Sequence, residues 1–377
     1  MAWRVLHLVR RTAGQRKAGI RLGDLTLKEY RPRPMLRVVG HYVEKPKFPV
    51  IDIHNHSEWQ GSWQVTDVPA LVDEMDKAGV VARVDLDGGN GDRLLKHLDT
   101  FRTKWPDRFA IFASLEWEKH LSFDDFGERM ARELKRSCDA GAEGLKVWKE
   151  LGLTLKDNRG QLIRVDDERL DPLFETAGDC GIPILIHTAD PIAFFTPLDQ
   201  YNERYEELCE NPDWYFYGPE FPSFEEVQAQ LANRIARHPR TTFIGAHVAS
   251  LAEDLGWVGR ILEAYPNMHV DIAARLAELG RQPYTSHDFF VQYADRVMFG
   301  LDSWPAEADE YRSYYRYLET RDEYFPYWSE EEEVGGAGRW WIYGVGLPDE
   351  VLKKVYYQNA VKIIPRFQQA VDRYGGR

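Results

Sequence analysis

Two histidines separated by a single residue, His54 and His56, close the apolar run Pro49-Val-Ile-Asp-Ile-His-Asn-His56. Along an extended strand, side chains two apart share a face, so both imidazoles can reach one metal ion from one strand end. Three further residues of the same kind stand where later apolar runs stop: His187 after Ile184-Leu-Ile, His247 after Phe243-Ile-Gly-Ala, and Asp302 after Val297-Met-Phe-Gly-Leu. Imidazole nitrogen with carboxylate oxygen suits Zn²⁺, and also Mn²⁺, Fe²⁺ or Co²⁺. No cysteine stands at such an end, which argues against a structural thiolate site. A bound divalent ion lowers the pKa of its water from about 15.7 to about 7, and a nearby carboxylate can take the proton. Asp302 is the candidate general base and a weak ligand besides. His247 is a candidate for a second metal or for a general acid.

These residues need a scaffold that brings strand ends together. Eight short apolar runs read as strands: Val50–Ile53, Val80–Asp85, Phe109–Ala113, Gly144–Trp148, Ile182–His187, Thr242–Ala246, Met268–Ile272 and Arg296–Gly300. Between most of them lie helical stretches with apolar residues at i, i+3 and i+4, among them Val68–Ala78, Leu94–Lys104, Phe126–Ala140, Leu170–Cys180, Phe224–His238 and Leu255–Tyr265. Alternating strands and helices imply a parallel sheet covered by helices. Eight units most simply close into an α/β, (β/α)8 TIM barrel, whose catalytic residues come from the C-terminal strand ends. The runner-up, a doubly wound open sheet, lacks a Gly-x-Gly-x-x-Gly after the first strand. The expected division is a basic extension over 1–48, a metal-dependent barrel over 49–365 and a C-terminal tail over 366–377. Three βα connections are long: Lys149–Asp167 after strand four, with a small hairpin, Thr188–Ser223 after strand five, and Asp302–Leu347 after strand eight. The last holds 12 aromatics between Trp304 and Tyr343, too many for a disordered segment, so it reads as a packed lid or an interface.

Composition narrows the function. Net charge is −13, but residues 1–48 carry 12 Lys/Arg against 3 Asp/Glu, so the rest of the chain carries −22. A body that acidic repels nucleic acid and anionic membrane, and the basic arm reads as a solvated extension packed on an acidic body, its own or a neighbour's. No apolar run is long enough for a transmembrane helix, and the N-terminus lacks a signal-peptide core. Cys138, Cys180 and Cys209 suggest a reducing, cytoplasmic setting with no disulfide framework, each read as a small buried hydrophobe. The other histidines read as incidental: His97, His120, His238 and His287 as surface residues, His7 and His41 as part of the basic arm, and His269 as the wrong end of a strand. Asp85, Asp87, Glu116, Asp190 and Arg275 also fall at or just past strand ends. Arg275 suits a substrate carboxylate through a bidentate contact, or a salt bridge to an acidic residue. Glu58 is either a support for the histidines or solvent-exposed.

The order His-x-His, His, His, Asp on strands one, five, six and eight resembles the amidohydrolase superfamily. The pieces Val50-Ile-Asp-Ile-His-Asn-His56, Ile184-Leu-Ile-His187-Thr188, Ile244-Gly-Ala-His247, Phe299-Gly-Leu-Asp302 and Tyr357-Gln-Asn-Ala-Val-Lys-Ile363 are similar to its amidohydrolase-related branch, which contains aminocarboxymuconate-semialdehyde decarboxylase. The resemblance implies one divalent ion, usually zinc, held by His54, His56, His187 and Asp302, with His247 acting beside it. It also raises a binuclear alternative bridged by a carbamylated Lys146, which stands at the end of strand four. We favour a single metal, with Lys146 as a substrate-binding or structural cation. The expected activity is hydrolysis of a C–O or C–N bond in a small organic acid, lactone or amide. The alternative is non-oxidative decarboxylation of a small carboxylic acid, aromatic acids included, by the same residues. The expected partner is a small-molecule substrate, and the branch is often homodimeric.

Overall fold

All eight strands form, and they line up in chain order. In the computed structural model, which describes residues 25–26, 29–30, 34–59, 63–304, 306–327 and 336–374, they are β1 (Val50–Asn55), β2 (Val80–Asp85), β3 (Phe109–Ser114), β4 (Gly144–Val147), β5 (Ile184–Ile186), β6 (Phe243–Gly245), β7 (Met268–Asp271) and β8 (Val297–Met298). Each pairs in parallel with the next. The seam between β8 and β1 is closed by two backbone bonds: the Ile53 N–H to the Phe299 carbonyl at 3.1 Å, and the Asp302 N–H to the His54 carbonyl at 2.8 Å. The sheet is therefore a nearly closed barrel, not a doubly wound open sheet.

β1 and β2 are buried at every residue, as expected of parallel strands covered on both faces. One apolar cluster, with Ile51, Ile53, Ala82, Val84, Phe112, Leu185, Ile244 and Met298, fills the barrel interior. A larger one packs the outer strand faces (Val50, Ile111, Val147, Val270) against helices carrying Met75, Leu134, Leu231 and Val258. Those helices are α1 (Val68–Ala78), α2 (Gly91–His97, running on through a wider turn over Leu98–Thr103), α3 (Phe126–Ala140), α4 (Asp171–Cys180), α5 (Phe224–Arg237), α6 (Leu255–Ala264), α7 (Pro283–Gln292) and α8 (Ala308–Glu319). Local chemistry sets their ends. The Asp67 carboxylate accepts from the Ala70 N–H at the start of α1, and Ser223 and Glu226 form a reciprocal capping box on α5.

Several expectations need correction. Residues 366–374 are not a tail: Phe367–Tyr374 form a helix, α9, whose Phe367 and Ala370 are buried against the interior cluster. Residues 39–48 belong to the same compact unit as the barrel, with the His41 N–H on Asp322 Oδ2 at 2.6 Å and the Lys47 N–H on Glu319 Oε1 at 3.0 Å. Within the other unit, Met1–Val38, residues 1–24, 27–28 and 31–33 lie outside the described residues, and so does the expected packing of the basic arm. The small hairpin expected after β4 does form: Lys156 and Leu162 make an antiparallel bridge, flanked by the Asp157 N–H on the Gln161 carbonyl at 2.9 Å and the Ile163 N–H on the Leu155 carbonyl at 2.8 Å. Much of the aromatic run after β8 is core, not lid: Tyr311, Tyr314, Tyr315 and Tyr317 of α8 are buried, and the first three pack around Phe299. The cysteines are not fully buried: Cys138 and Cys180 are partly exposed and Cys209 is exposed. Among the described residues, no helix is long and apolar enough to cross a membrane.

Candidate active site

The mouth of the barrel is shaped by irregular backbone at the strand ends. The β1–β2 register slips between Asp52 and Asn55, a bulge-like break of the kind that re-aims side chains next to active sites. Asp52 fixes the result. Its Oδ1 accepts the N–H groups of His54 (3.1 Å) and Leu301 (3.2 Å), while Oδ2 accepts from Asn55 Nδ2 (2.6 Å) and the Tyr311 hydroxyl (2.7 Å). After β6 the chain makes a left-handed turn in which His247, Val248, Ala249 and Ser250 all have φ between 55° and 60°, and Asp302 after β8 has φ 66°. Each such non-glycine residue costs about 1–2 kcal/mol, strain that persists only where the surroundings hold it and that gathers at functional sites.

The structure brings His54, His56 and Asp302 together, with one ligand atom from each inside a 4.8 Å group. Asp302 Oδ1 is 3.1 Å from His56 Nε2 and 3.5 Å from His54 Nε2, and its Oδ2 is 3.7 Å from His247 Nε2. Each ring is pinned at its other nitrogen: His54 Nδ1 by Asp271 at 2.9 Å, His56 Nδ1 by Asp87 at 3.0 Å, and His247 Nδ1 by the Ala273 carbonyl at 2.8 Å. A carboxylate behind a ligating histidine fixes its tautomer and ring orientation and raises its basicity. The donor set, two imidazole Nε2 atoms and a carboxylate with pinned rings, fits a divalent ion of the zinc or manganese kind. His187 stands outside the trio. Its ring packs against His247 (centroids 4.4 Å apart), and its Nε2 is 3.1 Å from the Ala189 carbonyl and 3.4 Å from Asp190. Lys146 is wholly buried, with Nζ 3.3 Å from His54 Nε2 and 4.8 Å from the Trp148 ring centre.

Electrostatics divides the groups. Burial and the Lys146 charge hold His54 well below its ordinary pKa, and burial with the Arg275 charge does the same to His247. Burial takes His187 to about 4 and the Lys146 ammonium down to about 8. For His56, burial is outweighed by hydrogen bonds to Asp302 and Asp87, which raise it to about 9. For Asp302, burial is outweighed by His54, His56 and His247, which keep it ionised, well below the usual carboxylate range. Asp271 is pushed by burial up to about 7.

Around this centre Trp148 stacks on His56 at 5.3 Å, and Trp304 meets the same ring edge-on at 6.3 Å. Arg275 is buried. Its Nη1 donates to the Ala274 carbonyl, while its Nε is buried without a partner. Asp190 pairs with Lys149, and Glu116 is a half-exposed surface residue paired with Lys119. Glu58 is engaged, paired with Arg93 and 3.9 Å from His97. His97 and His238, expected on the surface, are buried. Sequence reading passed over Asp271 and Trp148 as site residues. The signal for Asp271 is a carboxylate between the apolar Val270 and Ile272 in the strand Met268-His-Val-Asp-Ile272.

A parallel barrel with pinned imidazoles and an ionised carboxylate at its C-terminal mouth defines a metal-assisted barrel enzyme. A family model described as amidohydrolase matches residues 51–366, so the chain belongs to the amidohydrolase family. The fold is shared with an uncharacterized TIM-barrel protein from Bordetella bronchiseptica (14% identity, TM-score 0.53, covering 85% of this chain and 99% of that one). It is shared too with 2,6-dihydroxybenzoate decarboxylase from Rhizobium (16%, 0.53, 84% and 98%). A dihydroxybenzoic acid decarboxylase from a Polaromonas species, solved with manganese and 2-nitroresorcinol, is similar at 16% identity and TM-score 0.52, covering 84% of this chain and 97% of that one. No curated protein matches the sequence.

Proposed function

We propose that this chain is a metal-dependent, non-oxidative decarboxylase of a small aromatic carboxylic acid. His54, His56 and Asp302 would hold one divalent ion, and His187, whose Nε2 faces the Ala189 carbonyl and Asp190, would join as a fourth ligand only on turning its ring. The observation that carries the reading is the enclosure of the mouth by flat rings beside a buried, incompletely partnered cation: Trp148 and Trp304 flank His56, and Arg275 keeps a free Nε. The decarboxylases that share the fold, one of them holding manganese, lend weight to it. The ion, when bound, supplies a Lewis acid for substrate oxygens; zinc and manganese both suit these donors.

The chain's own groups divide the work. The indoles give an aromatic ring apolar walls, and Arg275 offers the carboxylate a guanidinium fork. Lys146, as an ammonium in place of a carbamate bridge, adds positive charge beside His54. Neutral His247 orients the substrate. The carboxyl carbon leaves as CO₂, the bonding pair stays on the ring carbon, and one proton is delivered there. Asp302, ionised at rest and with its side chain 18% exposed, would take that proton from solvent and hand it to the ring carbon. Hydrolysis is the second reading. It is favoured by the ionised state of Asp302, which a general base requires.

The test is to incubate protein loaded with Mn²⁺ or Zn²⁺ in D₂O with a panel of hydroxybenzoic acids. The expected result is CO₂ with one deuterium at the vacated ring carbon. Turnover of esters, lactones or amides in H₂¹⁸O, with the label in the organic product and no CO₂, would favour hydrolysis instead.

A further inference from the structure

We propose that His97 is a positioning residue for the candidate metal centre, acting through Asp85, Ser57 and Asp87 on the imidazole of His56. His97 closes α2, and its Nδ1–H donates to Asp85 Oδ2 at 3.0 Å. The other oxygen of Asp85 accepts the Ser57 hydroxyl at 2.8 Å and the Asp87 N–H at 3.2 Å. Asp87 is held in the same way. Its Oδ2 accepts the N–H groups of Ser57 (2.7 Å) and Glu58 (3.1 Å), and its Oδ1 takes the Nδ1–H of His56 at 3.0 Å. His97, Asp85, Ser57 and Asp87 are all buried.

A buried carboxylate with both oxygens engaged cannot turn. Asp87 therefore offers His56 a single tautomer, Nδ1–H, which leaves Nε2 directed at Asp302. His97 takes the second oxygen of Asp85. Without it, that carboxylate is buried with one side unsatisfied, and the polar network relaxes at its root. His97 also lines a pocket of about 220 Å³ with Thr66, Lys96 and Thr100, while its Nε2 lies 3.9 Å from Glu58.

The inference rests on the reading of His54, His56 and Asp302 as a metal centre. It is tested on the full chain by equilibrium competition for Mn²⁺ or Zn²⁺ against a fluorescent chelator, with thermal unfolding recorded in parallel. His97→Leu is expected to weaken binding by up to about 10-fold, the low end of the cost of losing an outer partner, because it acts on His56 through Asp85 and Asp87. His97→Asn, whose side-chain N–H replaces the Nδ1–H, is expected to recover to within a few-fold of wild type. Ser57→Ala, which cuts the same chain at another link, is expected to weaken binding as well and keeps the test alive if the Leu variant does not fold. Wild-type affinity in His97→Leu, or equal losses in the Leu and Asn variants, overturns the inference alone. A wild-type protein that takes up no ion overturns the metal reading and this inference together.

Discussion

Asp302 is the residue on which the charge balance of the mouth turns. Burial alone would neutralise it, yet three imidazoles gathered on its two oxygens keep it ionised. Asn has nearly the same shape without the charge, so Asp302→Asn is expected to cut kcat by about 10²–10⁴-fold while retaining part of the metal. His56→Ala, which removes a ring held by two carboxylates, is expected to lose the ion itself. Steady-state rates and elemental analysis separate the two. The imidazoles were legible in the sequence because each stands where an apolar run stops. Asp271 was not, because it sits inside β7, and nothing local says that its carboxylate crosses to His54 on β1. His97 was misread for a related reason. At the end of an amphipathic helix it resembles any solvent-facing polar residue, and only the position of Asp85 opposite makes burial tolerable.

At the scale of elements, that crossing depends on β8. β7 and β1 are not neighbours; β8 lies between them. The chain just after β8 presents Gly300 there, where a Cβ would lie 2.9 Å from the Cβ of His54 and 3.3 Å from that of Ala273. Gly300→Ala is expected to cost on the order of 1–3 kcal/mol and to weaken metal binding by displacing His54, as checked by urea unfolding and chelator competition. The opposite end of the barrel is closed by α9. Phe367→Ala, which removes a fully buried ring from the interior cluster, is expected to cost about 3–5 kcal/mol in urea unfolding and to leave metal stoichiometry unchanged. Strand order was readable because parallel strands covered on both faces are continuous apolar runs. The role of α8 was not: its tyrosines are as aromatic as a lid's, and only their packing around Phe299 distinguishes core from cover.

For the molecule as a whole, acid is the expected weakness. His269, at the far end of β7 from the mouth, is held by burial and by Arg296 and Lys362 at about 4, against an ordinary 6.5. Above pH 6.5 it is neutral in the folded and unfolded states alike. As pH falls from there towards 4, the unfolded chain gains a proton that the folded one refuses, and stability drops by about 2–3 kcal/mol. His269→Gln is expected to flatten this slope in urea midpoints taken between pH 7 and 4.5. The same polarity of the barrel, with a packed floor and an ionised mouth, locates the chemistry, and its central claim is a metal at that mouth. The most direct measurement is a crystal grown with Zn²⁺ and imaged by anomalous scattering. One strong peak is expected about 2.0–2.2 Å from His54 Nε2, His56 Nε2 and an Asp302 oxygen. A peak elsewhere, or a mouth in which the Lys146 ammonium is the only cation beside His54, would contradict it.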